Sequence, residues 1–336
     1  MDTWSDTQNP DTLCWLLEEN NPSVRYFTLR DILDRPADDP ELLQAKRDIM
    51  QRGIVPRILE KQNEPAYRET YRQFYTAKYQ GLVWQLIVLA ELGAEANAQI
   101  REQCEYLLSH SQETRDGGFA MNTAVKTGGG RATEVIPCLT GNMVWSLIHF
   151  GYLDDPRLQR GIGWLAEYSR FNDGVENDPQ IPPYSRYETC WGKHTCHMGV
   201  VKTLKALGAV PEARRSQAVT DTINRAAEFM LMHHIYQRSH EPGRVSKPGW
   251  LKFGFPLMYQ TDVLEILDIL SGLGVEDERM DEALDLVLSK RDSLGRWNAE
   301  NTYGSDRLLV PIGQKGKPGK WLTLRAMRVF KRNHRQ

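Results

Sequence analysis

The chain has 336 residues, and its 42 Lys and Arg stand against 44 Asp and Glu for a formal net charge of −2. That balance excludes a global basic field for nucleic acid or an anionic membrane, while the length is ample for a sizeable core. The opening MDTWSDTQNPDTLCW has no basic or apolar leader pattern, and the strongest apolar run, Gly81 to Ala90, is too short to span a bilayer. Five scattered cysteines fit reduced thiols, so a cytoplasmic protein without an integral membrane segment is expected.

Along the chain, residues 11–61 read as helical, with Asn21-Pro22-Ser23 before VRYFTLRDIL and prolines at 36 and 40 breaking the chain after it. Beyond them four apolar helical stripes end alike, at Gly93, Gly151, Gly208 and Gly274. Glycine past an amphipathic stripe is a helix stop, since it takes the left-handed conformation without a Cβ clash. A second helix follows each stop: Ala98–His110, Pro156–Arg170, Gln217–His234 and Glu278–Lys290. Lys320–Lys331 supplies one more helix of the first kind. Alternating strand patterns are absent. The sequence therefore predicts an all-α fold, an (α/α) toroid of about five helix pairs (63–336) carrying an N-terminal helical segment (1–62).

Three loops after second-kind helices carry a Gly followed by an aromatic or apolar residue: SQETRDGGF to Phe119, RFNDGV to Val175 and KRDSLGRW to Trp297. Arg160-Gly161-Ile162-Gly163-Trp164-Leu165 and Arg291-x3-Gly295-Arg296-Trp297 are similar to the two halves of the repeat found in triterpene cyclases. Over Tyr67 to Arg332 the chain resembles the squalene cyclase and protein prenyltransferase superfamily. The resemblance implies an α/α toroid whose inner helices line a cavity for a hydrophobic, isoprenoid-type small molecule.

Two chemistries of that superfamily depart from this sequence. The Asp-x-Asp-Asp acid of class II cyclases is missing, and the nearest pairs, Asp38-Asp39-Pro40 and Asp154-Asp155-Pro156, read as helix caps followed by Pro at the first helical position. The Asp-x-Cys of prenyltransferase zinc sites is also missing: Cys138 opens a first-kind helix as the family cysteine does, but Ile136 stands where the Asp belongs.

The stretch YETCWGKHTCHMGVVKTLKALG, Tyr187 to Gly208, supplies other candidate ligands. Taken as one helix, it places Cys190, His194 and His197 within about 60° of one another, one stripe. Zinc takes four N or S ligands, so Cys138 with Cys190, His194 and His197 makes a candidate metal set, with zinc the candidate cofactor. Repeat register instead groups Cys138, Cys196 and Asp262 at one height. Ordinary burial of a small apolar thiol is the competing account, and the one given for Cys14 and Cys104.

The last long loop, from LMHHIYQRSHEPGR into KPGWLKFGFPLMYQTD, reads as a pocket wall with His240, Tyr259 and Asp262 as candidate catalytic groups. KTGGGRA, Lys126 to Ala132, lacks the strand and Gly-Lys-Ser/Thr of a phosphate loop and reads as a flexible rim loop. Two functions stand side by side: an enzyme, a metal-dependent transferase or a lyase/isomerase working on a hydrophobic molecule in the cavity, and a non-catalytic scaffold presenting the toroid rim to a protein partner.

Overall fold

The computed structural model describes residues 9–174, 181, 183–185, 190, 195–303 and 307–334. In chain order the helices are α1 (Pro10–Leu16), α2 (Pro22–Phe27) continued by a π turn (Thr28–Ile32), α3 (Pro40–Gln51), α4 (Ile54–Gln62) and α5 (Tyr67–Arg72). Four helices of the repeat come next: α6 (Leu82–Glu91), α7 (Ala98–His110), α8 (Pro137–His149) and α9 (Pro156–Tyr168). They are followed by α10 (His197–Gly208), α11 (Gln217–Met232), α12 (Val263–Gly272), α13 (Asp281–Ser289) and α14 (Lys320–Asn333). Among the described residues the only sheet is a two-stranded antiparallel pair, β1 (Gln237–Arg238) with β2 (Glu241–Val245). No described helix is long and apolar enough to cross a membrane.

The fold is an α/α toroid. Helices α6, α8, α10, α12 and α14 pack side by side as the inner ring, while α7, α9, α11 and α13 lie outside them. Inner helix α6 is apolar nearly all round, with nine of its ten residues buried, because one side meets the outer ring and the other the barrel interior. The N-terminal segment sits at the seam. There α2 and its π turn pack on α14, and Phe27 lies 3.0 Å from where a Cβ on Gly93 would stand, so α2 fills the space between α14 and α6. Helix α1 reaches the last repeat through Thr12, whose hydroxyl donates to the Leu294 carbonyl at 2.5 Å.

Three of the four glycine stops behave as expected: Gly93, Gly151 and Gly274 have φ of 76°, 85° and 73°. Gly208 differs. It remains helical, and a Cβ there would stand 3.0 Å from Leu273, so it is small for packing against the next inner helix's end. Asp39 and Asp155 cap α3 and α9, accepting the amides of Glu41 and Leu42 and of Arg157. Cys104 is buried, but Cys14 is exposed, contrary to expectation, because it falls on the outward side of the short helix α1.

The loop motifs tie successive pairs together. Phe119 and Trp297 are fully buried, and their backbone amides donate to Thr140 and Thr323, each the fourth residue of the next inner helix. Trp297 Nε1 donates back to the Val287 carbonyl of α13 at 2.7 Å. A second device repeats on the outer ring: Arg157 forks onto Glu105 of the preceding outer helix and onto its own cap Asp155, and Arg279 does the same with Glu228 and Asp277. Trp297→Ala removes the core aromatic and the indole hydrogen bond to the Val287 carbonyl. It is expected to cost about 3–5 kcal/mol, read as a fall in the thermal midpoint with no loss of helical dichroism in the cold.

Candidate functional site

The two ends of the toroid are built differently. Turns from inner to outer helices are short (92–97, 150–155, 209–216), whereas connections from outer to inner are long (111–136, 233–262, 290–319). At the long-loop end the segment before α12 folds into the barrel, burying Phe253, Phe255, Leu257 and Met258. Asn142 of α8 donates to the Met258 carbonyl at 3.1 Å, fixing this plug to the opposite wall.

At the short-turn end the barrel stays open as a cavity of about 940 Å³. Every inner element contributes, from Phe27 and Arg30 beside α2 to Trp321, Arg325, Arg328 and Arg332 along α14. The lining is charged: Arg30, Lys46, Arg101, Lys205, Arg325, Arg328 and Arg332 face Glu91, Glu95, Glu265 and Asp268, seven cations to four carboxylates. Rings of Tyr26, Phe27, Trp145 and Trp321 fill much of the remainder.

The floor is a buried ionic network. Lys202 Nζ donates to both oxygens of Glu265 at 2.7 Å, with side chains only 1% and 2% exposed. Lys205 pairs with Glu91, lies 3.5 Å from Glu265 and sits 3.9 Å above the Trp145 ring. Arg325 reaches Glu91 at 3.3 Å and Asp268 at 3.5 Å, and Arg332 pairs with Asp268 at 2.8 Å. Burial alone would raise the Glu265 carboxyl, but Lys202, Lys205 and Arg325 outweigh it and bring it down to about 2. Burial likewise opposes ionisation of Glu91, and Lys205 and Arg325 hold it below the ordinary carboxylate value. His149 donates from Nε2 to the Ala94 carbonyl, and burial keeps its pKa below the usual imidazole value.

Three donors on residues of this wall have no acceptor and are closed off from the open space of the cavity. Arg325 is 6% exposed and Trp321 9%, yet Arg325 Nη1 and Trp321 Nε1 make no hydrogen bond, and neither does the buried Arg328 Nε. An orphaned buried donor costs about 1–3 kcal/mol, so three in one wall call for an explanation. The sequence carried the signal: Trp321, Arg325, Arg328 and Arg332 are spaced i, i+4, i+7 and i+11, one stripe of an inner helix.

The residues singled out from sequence lie elsewhere. Tyr259 joins an aromatic group at the long-loop end, 6.4 Å from Tyr79 and 5.9 Å from Trp84, with the Lys78 ammonium 4.7 Å from its ring centre. Asp262 is fully buried and caps α12, accepting the amides of Glu265 and Gly254, and burial lifts its carboxyl to about 7. His240 is exposed and bonded to the Asp173 carbonyl, beside a Ser239 hydroxyl that donates to the Asp173 carboxylate. The Lys126–Arg131 loop is partly anchored, since Thr123 and Gly130 pair as a β-bridge.

Helix α10 begins at His197, so Cys190 lies outside it and the two do not share a helical stripe. The His197 ring packs on Phe229, His233 and Trp250. Cys190 and Cys196 line one small recess with Pro137, and Cys138 is buried next to that proline with its thiol pushed up to about 12 by burial. A hydrogen bond from Cys190 outweighs burial and draws the Cys196 thiol down to about 6. His194 lies outside the described residues, and among those described no three His, Cys, Asp or Glu side chains are grouped to hold a metal ion.

The floor network sets an acid response. Because the folded Glu265 pKa lies below its ordinary value of 4.5, its contribution is complete above that pH and is lost as pH falls toward 2. Glu265→Gln is expected to lose about 3–5 kcal/mol at neutral pH, to flatten the fall in stability across that acid window, and to be less stable than Lys202→Met/Glu265→Leu. Denaturant titrations at several pH values check all three.

No family model matches the sequence, and no curated protein matches it. Among solved structures the chain is similar to the GH76A alpha-1,6-mannanase of Salegentibacter sp. HEL1_6, at 11% identity and a TM-score of 0.46, covering 94% of this chain and 89% of that one. It is similar to a polysaccharide lyase at 11% identity and 0.46, covering 93% and 89%. It is also similar to a type II terpene cyclase from Scytonema at 14% identity and 0.41, covering 96% and 98%.

Proposed function

We propose that the toroid binds a small molecule in the cavity at its short-turn end, and that this ligand joins an acidic, oxygen-rich end to an apolar or aromatic part. The observation that carries the reading is the 940 Å³ space itself, whose wall sets seven lysines and arginines against four carboxylates beside the rings of Tyr26, Phe27, Trp145 and Trp321. The aromatic wall suits the apolar part of the molecule expected from the resemblance, while the arginines favour an acceptor-bearing end over a pure hydrocarbon.

Binding precedes any chemistry in this reading. The carboxylates Glu91 and Glu265 are held ionised by lysine and arginine, so neither is a proton donor at neutral pH. A rim scaffold, the alternative, requires no donor-lined interior.

A thermal-shift panel of phosphorylated, carboxylated, neutral polyol and isoprenoid compounds tests the proposal, with Ala209→Trp as the variant that blocks the mouth at a half-buried lining position. An acidic ligand at about 100 times its Kd should stabilise the protein by about 2.7 kcal/mol, a shift of several degrees, and Ala209→Trp should abolish it. No stabilisation by any compound, or a shift unaffected by Ala209→Trp, overturns the cavity reading.

Zinc at Cys138, Cys190, His194 and His197 stands as a separate proposal. Metal analysis should then find close to one equivalent in purified protein, lost in the Cys190→Ser/His197→Ala variant, and absence of metal after growth with added zinc removes it.

A further inference from the structure

We infer that the outer wall of the toroid carries a docking groove for a basic amphipathic helix of a partner protein, beside α13, the last outer helix, and the end of α14. The groove measures about 530 Å³ and lies between the acidic turn Glu276–Glu278, α13 and the last turn of α14. Asp281, Leu284, Asp285 and Leu288, spaced i, i+3, i+4 and i+7, turn one face of α13 toward it. Neighbouring Glu282 is engaged elsewhere, accepting from Tyr236 and Gln237 of the loop after α11. Helix α1 reaches the wall at the other, long-loop end, through Thr12 and Leu294, and lines no part of the groove.

At two junctions of the outer ring, an arginine that opens one outer helix clasps the outer helix beside it. Arg157 of α9 forks onto Glu105 of α7 at 2.8 and 3.0 Å, and Arg279, in the turn opening α13, forks onto Glu228 of α11 at the same two distances. Glu228 and Asp285 stand equally far ahead of their C-caps, His233 and Lys290, so α13 presents the acceptor half of the same clasp. No cation answers it: among the described residues Glu278, Asp281 and Asp285 make no ion pair.

Charge and apolar surface together choose the occupant. Five carboxylates and the His334 imidazole line the groove with no lysine or arginine among them, so an acidic segment or an anionic membrane is repelled. Acids in a first turn suit the helix dipole, which accounts for Glu278 and Asp281, but that field fades within a turn and does not reach Asp285. Asp281 and Asp285 are like charges at i and i+4, an arrangement that costs a helix stability and that arginine from outside relieves. Leu284 and Leu288 are half-buried, and the Phe330 beside them is 3% exposed, which gives the acids an apolar floor that a small hydrated cation does not use. A helix with leucines on one stripe and arginines flanking it matches both features.

Fluorescence anisotropy with a labelled peptide tests the inference. The probe is an acetylated, amidated helix of about 16 residues with leucines at i, i+3, i+4 and i+7 and arginines flanking them; a scrambled peptide of the same composition and a version with glutamate for arginine are the comparisons. The patterned peptide should bind at one site at least tenfold more tightly than the scrambled one, and the glutamate version should not bind. Asp281→Asn/Asp285→Asn should weaken binding tenfold or more and Leu288→Asn about fivefold. Circular dichroism confirms folding, and the exposed aspartates decide alone if the leucine variant is unstable. Equal binding of the scrambled peptide, indifference to Asp281→Asn/Asp285→Asn, or no binding at all overturns the inference. Self-association in sedimentation that Asp281→Asn/Asp285→Asn abolishes makes a second copy the occupant and overturns the partner assignment. Groove and cavity share no lining residue, so these outcomes are independent of the ligand panel.

Discussion

A lysine and a glutamate buried together, Lys202 on α10 and Glu265 on α12, define the centre on which the rest of this toroid is built. Neither charge tolerates removal from water alone, so each needs the other and further partners besides. Those partners come from around the ring: Lys205 beside Lys202, Glu91 at the end of α6, and Arg325 and Asp268 on α14 and α12. Apolar packing would permit neighbouring inner helices to slide by a turn. A charge network satisfied in only one register does not, and it also holds the buried Arg325 between Glu91 and Asp268.

This centre divides the barrel into two ends with different fates. Long connections at one end supply enough chain to fold inward, and the segment around Met258 closes the interior there. Short turns at the other end have no length to spare, so that mouth stays open. Polar and aromatic side chains near the open end lie over the ionic floor, which gives the cavity its mixture of guanidinium and ring surface.

Much of the architecture was legible in the sequence because it rests on local rules. Left-handed glycines at 93, 151 and 274 end helices wherever they occur, and Asp39 and Asp155 cap helices through atoms two or three residues away. The loop aromatics Phe119 and Trp297 stand out in the sequence after their glycines, but their threonine partners on the next helix do not. Non-local features resisted reading. Gly208 resembles the other stops in sequence but answers to Leu273 across the ring. The Cys190 to His197 stripe presumed a helix that starts only at His197. Charges on inner helices, such as Lys202 and Glu265, look like surface positions until the three-dimensional neighbour that neutralises them is known. The cavity donors were the hardest to foresee, since an unpaired N–H is a property of the assembled wall and of no single residue.

The seam has a consequence for how the molecule comes into being. Thr12 bonds Leu294, Lys320 pairs with Glu18, and Lys331 caps the carbonyls of Asp31 and Ile32 while Arg328 holds Asp31. Partners separated by roughly 300 positions must meet to shut the circle, and closing so long a loop carries the largest entropic cost of any contact in the chain. During synthesis the first helices therefore emerge without their flank and wait until nearly the whole polypeptide has left the ribosome. Arg30 and Phe27 stand on one lip of that seam and Trp321, Arg325 and Arg328 on the other. Any molecule gripping both lips acts as a latch, favouring the closed circle over a C-shaped, partly opened one.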